Sequence, residues 1–278
     1  MRVFISVDIE GITGLVSWSQ CSRPDGNSYD YPFARRMMTH DVNAAIRGAR
    51  EAGATELVVK DSHGNSKNLL VADLDGPVTL ISGQGSGHDG MMEGIADGFD
   101  AAVLVGYHAM AGAQGGVMEH TITGGIHHLR INGQRMGEIG LAAAAAGQYG
   151  VPLVAVCSDA AGCAEAANLV PSLSTFVTKT GRGRYMADCL HPATTGPGIQ
   201  AAVREGLLNP PAPFVLAGEV ELSVEFNRAE EADMVARYRS FRRLDGYTVG
   251  NSFATFADAH NAVWEAVQLS FCGINSQY

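Results

Sequence analysis

Short runs rich in β-branched residues recur along this chain at positions 3–7, 55–60, 78–81, 101–105, 151–156 and 174–178. They are apolar on both faces, as strands buried from both sides must be. Between several of them lie stretches with helical spacing. Over 33–52 the apolar positions are Phe33, Met37, Met38, Val42, Ala45, Ile46 and Ala49, and the pattern stops at Gly53, which suits the left-handed conformation of a helix end. A second helix is predicted over 138–148 and a third after Asp159. Strands alternating with helices require βαβ units, so the expected fold is α/β, a mainly parallel sheet flanked by helices with a flavodoxin-like core.

Two regions break the rhythm. Residues 117–136 read as paired strands, with Asn132-Gly133 supplying the positive φ angles of a tight hairpin. Residues 214–226 and 247–256 read as strands and 258–271 as a helix. These predict a second, smaller α/β subdomain. The segment Asn209-Pro210-Pro211-Ala212-Pro213 cannot be helix or central strand. It sets an expected boundary between a larger region, 1–208, and a C-terminal α/β region, 209–278, packed on it.

Composition excludes several classes of partner. With 29 acidic against 19 basic residues and a formal charge of −10, the chain lacks the basic stripe of a nucleic-acid binder. The longest apolar stretch, 139–157, is mostly alanine and is broken by Gly147, Gln148, Gly150 and Pro152, so no membrane span is expected. Five cysteines, none in a Cys-x-x-Cys pair, fit free thiols in a reducing compartment. The chain opens directly on a strand and not on a signal peptide, which makes a cytoplasmic protein the expectation.

Candidate chemistry gathers where strands end, which is where an α/β sheet keeps its site. After the first strand comes Val7-Asp8-Ile9-Glu10-Gly11; residues two apart share a face, so Asp8 and Glu10 would place two carboxylates side by side. Such a pair is either a solvated strand end or half of a cation site. Asp61-Ser62-His63 follows the second strand and Gly106-Tyr107-His108-Ala109 follows another. Two histidines with two carboxylates at three strand ends suit zinc, manganese or cobalt. Glu138 reads either as a first-turn helix acid or as a further ligand, and His120 as a structural or a reactive imidazole. His127 and His128, adjacent on a strand, should face opposite ways. Gly85-Ser86-Gly87-His88-Asp89-Gly90 has the spacing of a dinucleotide fingerprint, but it lies outside the opening βαβ unit and reads as a loop at a site rim. No Gly-x-Ser-x-Gly elbow marks a serine hydrolase.

Taken in order, the segment from Ser6 to Gly14, Asp61-Ser62-His63, Gly106-Tyr107-His108-Ala109, Val117-Met118-Glu119-His120-Thr121 and Gly137-Glu138 resemble the zinc D-aminopeptidases of bacterial dipeptide-transport operons. The likeness includes Lys179-Thr180 and Cys189-Leu190-His191-Pro192 and continues more weakly to Phe271. The resemblance implies a self-compartmentalising metallopeptidase with two zinc ions per subunit. Asp8 (bridging), Glu10, His63, His108 and Glu138 would be the ligands and His120 the catalytic residue. It also implies a homo-oligomer, a decameric ring, acting on small peptides that carry an N-terminal D-residue such as D-Ala. The family assigns His120 as nucleophile; chemistry favours general acid/base, because the metals already supply a nucleophile. Glu119 is a candidate for the substrate amine, and Lys179 or Arg182 for a peptide carboxylate. The loops over 16–31 and 83–90 depart from the family pattern and bear on the substrate pocket. The rival readings are another two-metal hydrolase, an amidohydrolase or phosphoesterase, and a non-catalytic peptide-binding protein.

Overall fold

The computed structural model describes residues 1–21, 30–85 and 89–275. Its strands are β1 (Arg2–Val7), β2 (Glu56–Asp61), β3 (Thr79–Ile81), β4 (Ala101–Tyr107), β5 (Ile126–Ile131), β6 (Gln134–Arg135), β7 (Leu153–Asp159), β8 (Ser174–Gly183), β9 (Met186–Cys189), β10 (Val220–Phe226), β11 (Arg242–Arg243) and β12 (Thr248–Phe253). Its α-helices are α1 (Trp18–Cys21), α2 (Tyr31–Glu51), α3 (Glu138–Gly147), α4 (Ala160–Leu169), α5 (Pro192–Leu208), α6 (Ala229–Val235) and α7 (Phe256–Asn275).

The larger sheet runs β3-β2-β1-β4-β7-β8-β9, parallel throughout except for the edge strand β9. Counted within this sheet alone, the order is 3-2-1-4-5-6-7, the doubly wound 3-2-1-4-5-6 extended by the antiparallel edge strand β9, and not the 2-1-3-4-5 of a flavodoxin. In a sheet so ordered the direction of winding reverses between β1 and β4, and the crevice opens beyond the strand ends there. Register brings those ends level: Val7 pairs with Asp61 on one side and Val105 on the other.

Each face of the sheet is buried. Val3, Ile5 and Val7 share one core with Met38, Val42 and Ile46 of α2 and Ile199 and Val203 of α5. Phe4 and Leu104 share the other with α3, α7 and the second sheet. That sheet is antiparallel, β11-β12-β10-β5-β6. Its β5–β6 hairpin is an excursion from the connection between β4 and β7, so strands from both sides of residue 209 form one sheet. Asn132 (φ 52°) and Gly133 (φ 78°) make the turn.

Several local expectations change. Strand pairing within 117–136 is confined to β5 and β6, apart from a single Thr121–Thr123 bridge, and the stretch 214–219 precedes β10 without forming strand. Helix α5 runs against local propensity, because Gly196, Pro197 and Gly198 are poor helix formers. Ile199, Val203 and Leu207 recur one turn apart and are buried. At about 1.5–3 kcal/mol per buried aliphatic side chain they offset the poor helix formers. His127 and His128 also differ from expectation. A register shift where β5 meets β10 leaves their rings on neighbouring paths, centroids 4.3 Å apart. Ser86, Gly87 and His88 of the glycine-rich loop, and 22–29 of the stretch 16–31, lie outside the described residues. Among the described residues no helix is long and apolar enough to cross a membrane, and all five cysteines are free.

Candidate active site

After Val7 the chain leaves the sheet in a turn that crosses the end of β4. Gly11 N–H donates to Gly106 O at 2.7 Å. A Cβ on Gly11 would lie 1.8 Å from Tyr107 O, and one on Gly106 (φ +72°) 2.3 Å from Asp8 O. Only glycine at both positions allows this crossing. The crossing turns Asp8 and Glu10 to one side. They converge as the sequence suggests, through this turn and not through the pleat of a strand.

The histidines arrive on three loops. His63 stands in a loop closed by Asp61, whose carboxylate accepts from Asn68 N (2.6 Å), Leu69 N (2.9 Å) and Asn68 Nδ2 (2.9 Å). Its Nδ1 lies 3.2 Å from both Asp8 Oδ1 and Glu10 Oε2. His108 follows β4, with Nε2 3.5 Å from Asp8 Oδ2 and 3.3 Å from Glu138 Oε1. His120 stacks on His108, ring centroids 4.0 Å apart, and its Nε2 is 3.8 Å from Glu138 Oε1. Its loop is fixed by Asp159, which accepts from Val117 N at 2.7 Å and also caps α4. Glu138 opens α3 and accepts from Ile122 N at 2.5 Å.

The opposite nitrogen of each ring faces a main-chain carbonyl: His63 Nε2 to Cys21 O (3.2 Å), His108 Nδ1 to Ala109 O (3.0 Å) and His120 Nδ1 to Met118 O (2.9 Å). A carbonyl can only accept, so in each neutral ring that nitrogen carries the proton. The nitrogen turned toward the carboxylates keeps its lone pair, as in metal sites whose histidines are oriented from behind.

Asp8, Glu10, His108 and Glu138 are all buried. Burial, then the Glu10 carboxylate, pushes the Asp8 carboxyl up to about 7. Burial acts the same way on Glu10, but His63 and the other two rings outweigh it and hold Glu10 well below the usual range. Burial opposes charging of His63 and His108; their carboxylate neighbours prevail and raise both. For His120 burial and the stacked His108 prevail, and its pKa falls. Glu10 Oε2 and His108 Nε2 are buried without a hydrogen-bond partner. Each such atom costs about 1–3 kcal/mol unless something coordinates it. Lone pairs and carboxylate oxygens aimed at common points fit a divalent cation of the zinc type. The ligating atoms of Asp8, Glu10 and His108 lie within 4.8 Å of one another, as do those of His108, His120 and Glu138. A third such group, Glu10, His63 and Cys21, includes a thiol that sequence reasoning missed, because nothing in its spacing ties it to Glu10 or to the distant His63.

These groups open on a cavity of about 350 Å³, within the size range of small-ligand sites. The rest of its lining includes the apolar residues Trp18, Met91, Ile122, Trp264, Val267 and Phe271. The sequence marks none of these six as a site residue; Met91 reads from it as a core filler. Glu119 does not line the cavity; its carboxylate accepts from Gly112 N (3.3 Å) and lies 3.6 Å from Arg184 Nε. Lys179 is fully buried and donates to Glu10 O and Ile12 O, so it does not reach a substrate carboxylate. Arg182 pairs on the surface with Asp188.

A family model described as D-aminopeptidase matches residues 1–264. The chain belongs to the D-aminopeptidase family. Within it, the chain is 38% identical over 196 residues to the D-aminopeptidase of Bacillus subtilis (strain 168), covering 70% of each. Its fold superposes with a TM-score of 0.92 and 32% identity on the zinc-dependent D-aminopeptidase DppA of Bacillus subtilis, a self-compartmentalizing protease, across 98% of both chains. The D-aminopeptidase family thus accounts for the order of motifs read from the sequence.

Proposed function

We propose that this D-aminopeptidase family member is a zinc-dependent aminopeptidase. It removes an N-terminal residue, a D-residue such as D-Ala, from small peptides or amides. In this reading Asp8, Glu10, His63, His108 and Glu138 would hold two zinc ions. The observation that carries the reading is the convergence of imidazole lone pairs, each fixed by a carbonyl behind the ring, on three buried carboxylates beside a cavity. When bound, the ions supply Lewis acidity at the scissile carbonyl and lower the pKa of water. His120 is the general acid/base: with its Nδ1–H on Met118 O, Nε2 is the atom that takes and returns a proton. Its lowered pKa keeps that nitrogen unprotonated near neutral pH. Trp18, edge-on to His120 at 5.0 Å, holds the ring and limits water around it.

The chain works as a closed homo-oligomer, a ring of ten, in the cytoplasm. The self-compartmentalizing character of the DppA relative supports the assembly, and five free thiols support a reducing compartment. Metal analysis paired with hydrolysis of D- and L-alanyl amides, and of a phosphomonoester, tests the reading. About two zinc ions per chain and cleavage of the D-amide alone are expected. In His120→Ala the metal should stay while kcat drops about 10²–10⁴-fold. Phosphate release without amide cleavage would overturn the assignment.

A further inference from the structure

The turn that carries Asp8 and Glu10 exposes three consecutive main-chain carbonyls, of Glu10, Gly11 and Ile12, toward β8. Each is met by a side chain of that strand. Lys179 Nζ donates to Glu10 O at 2.5 Å and to Ile12 O at 2.8 Å. Thr178 Oγ1 donates to Gly11 O at 2.7 Å. Both side chains are fully buried. An ammonium is among the costliest groups to bury, and a buried lysine normally meets a carboxylate. Here its hydrogen-bond partners are carbonyls, which no side chain of the turn itself satisfies. The donor side of the turn is held as well: Thr13 N and Oγ1 both donate to the buried Asp41 carboxylate at 2.8 Å. Between these ties lies Glu10, whose Oε2 has no hydrogen-bond partner and points at His63.

We infer that Lys179 and Thr178 are positioning residues that clamp the backbone of the Asp8–Glu10 turn and so set the geometry in which Glu10 binds its cation. The inference rests on the metal-site reading above and assigns Lys179 no contact with substrate. Groups that orient ligands from behind typically matter by ten- to a hundredfold in metal affinity.

The test uses the full chain in its native assembly, with Lys179→Met, Thr178→Val and Thr178→Ser. Zinc affinity is read by competition with a chromogenic chelator, and kcat and KM on a D-alanyl dipeptide and the matching D-alanyl amide. Lys179→Met should weaken zinc binding about ten- to a hundredfold, with KM for the two substrates shifting alike. Thr178→Val should weaken it less, and Thr178→Ser should restore it. Three outcomes would overturn the inference: unchanged zinc affinity in a folded Lys179→Met protein, a lowered Tm with wild-type zinc affinity, or a KM rise confined to the dipeptide. The last would make Lys179 a carboxylate contact. Should Lys179→Met not fold, the Thr178 pair decides by the same readouts. If the wild type binds zinc but cleaves neither substrate, the aminopeptidase reading fails while the zinc measurement still decides this one. A wild type that binds no zinc overturns both.

Discussion

The two walls of the cavity are held by different forces. On one side Asp8 and Glu10 stand on a turn tied by Gly106 O, Asp41, Thr178 and Lys179, a buried polar network in which each bond has a direction. On the other, Trp18, Met91, Trp264 and Phe271 come from a short helix, a single 3-10 turn and the last helix, and meet the cavity through apolar surface. Directional bonds in a low-dielectric interior fix atoms to fractions of an ångström, and losing one partner leaves the other unsatisfied. Apolar contact has no preferred direction and tolerates exchange of side chains of similar volume. In the proposed reading the polar residues set the chemistry and the apolar ones set which residue is accepted.

The hardest blow to this contrast would be struck at Gly11. Gly11→Ala puts a methyl where only 1.8 Å separates it from Tyr107 O, so the turn must move. Loss of bound zinc and of nearly all activity is expected, and an active, zinc-loaded alanine variant would show that the polar wall is not rigid. A milder change is Trp264→Ala, at a residue that lines both this cavity and a neighbouring one of about 510 Å³, as Met91 and Val267 also do. Zinc content should hold, while the preference for small over bulky N-terminal residues should relax about tenfold, measured as a ratio of kcat/KM values. A fall in zinc content instead would erase the distinction between the walls.

The smallest effect is expected beneath the site. Glu165 accepts from Met110 N at 2.8 Å, two residues after His108, and burial pushes its carboxyl from the ordinary 4.5 up to about 7. The folded protein therefore holds this proton more tightly than the unfolded chain does. Stability is fully present below the unfolded value and declines as pH rises through about 7. Glu165→Gln cannot titrate, so denaturation midpoints compared at mildly acidic and mildly alkaline pH should show a smaller alkaline loss in the variant. Equal losses would place the titration elsewhere.

How far the sequence could be read follows the same division. The motifs proposed to hold the metal are visible because each follows a β-branched run that had to be a central strand: Asp8 after Val7, His63 after Asp61, His108 after Tyr107. Glu138 was visible as the first residue of a helix of alanines. The apolar wall was not, because Trp264 and Phe271 look like any amphipathic helix face until the helix has been docked. Lys179 misled for a related reason: a lysine reads as solvent-seeking, and only the packed structure shows carbonyls around its ammonium. His127 and His128 misled because a register shift in β5 cannot be seen in strand alternation.

By itself the sequence determined the parallel sheet, the strand ends at which donors would collect, and the kinds of atom they would present, because periodicity and residue chemistry are local properties. Tertiary structure decided that the turn after Val7 crosses β4 closely enough to demand two glycines. It also decided which nitrogen of each histidine faces inward, and that strands on both sides of residue 209 close one sheet. Those outcomes depend on contacts between segments far apart in the chain, and such contacts are selected only when the whole core packs.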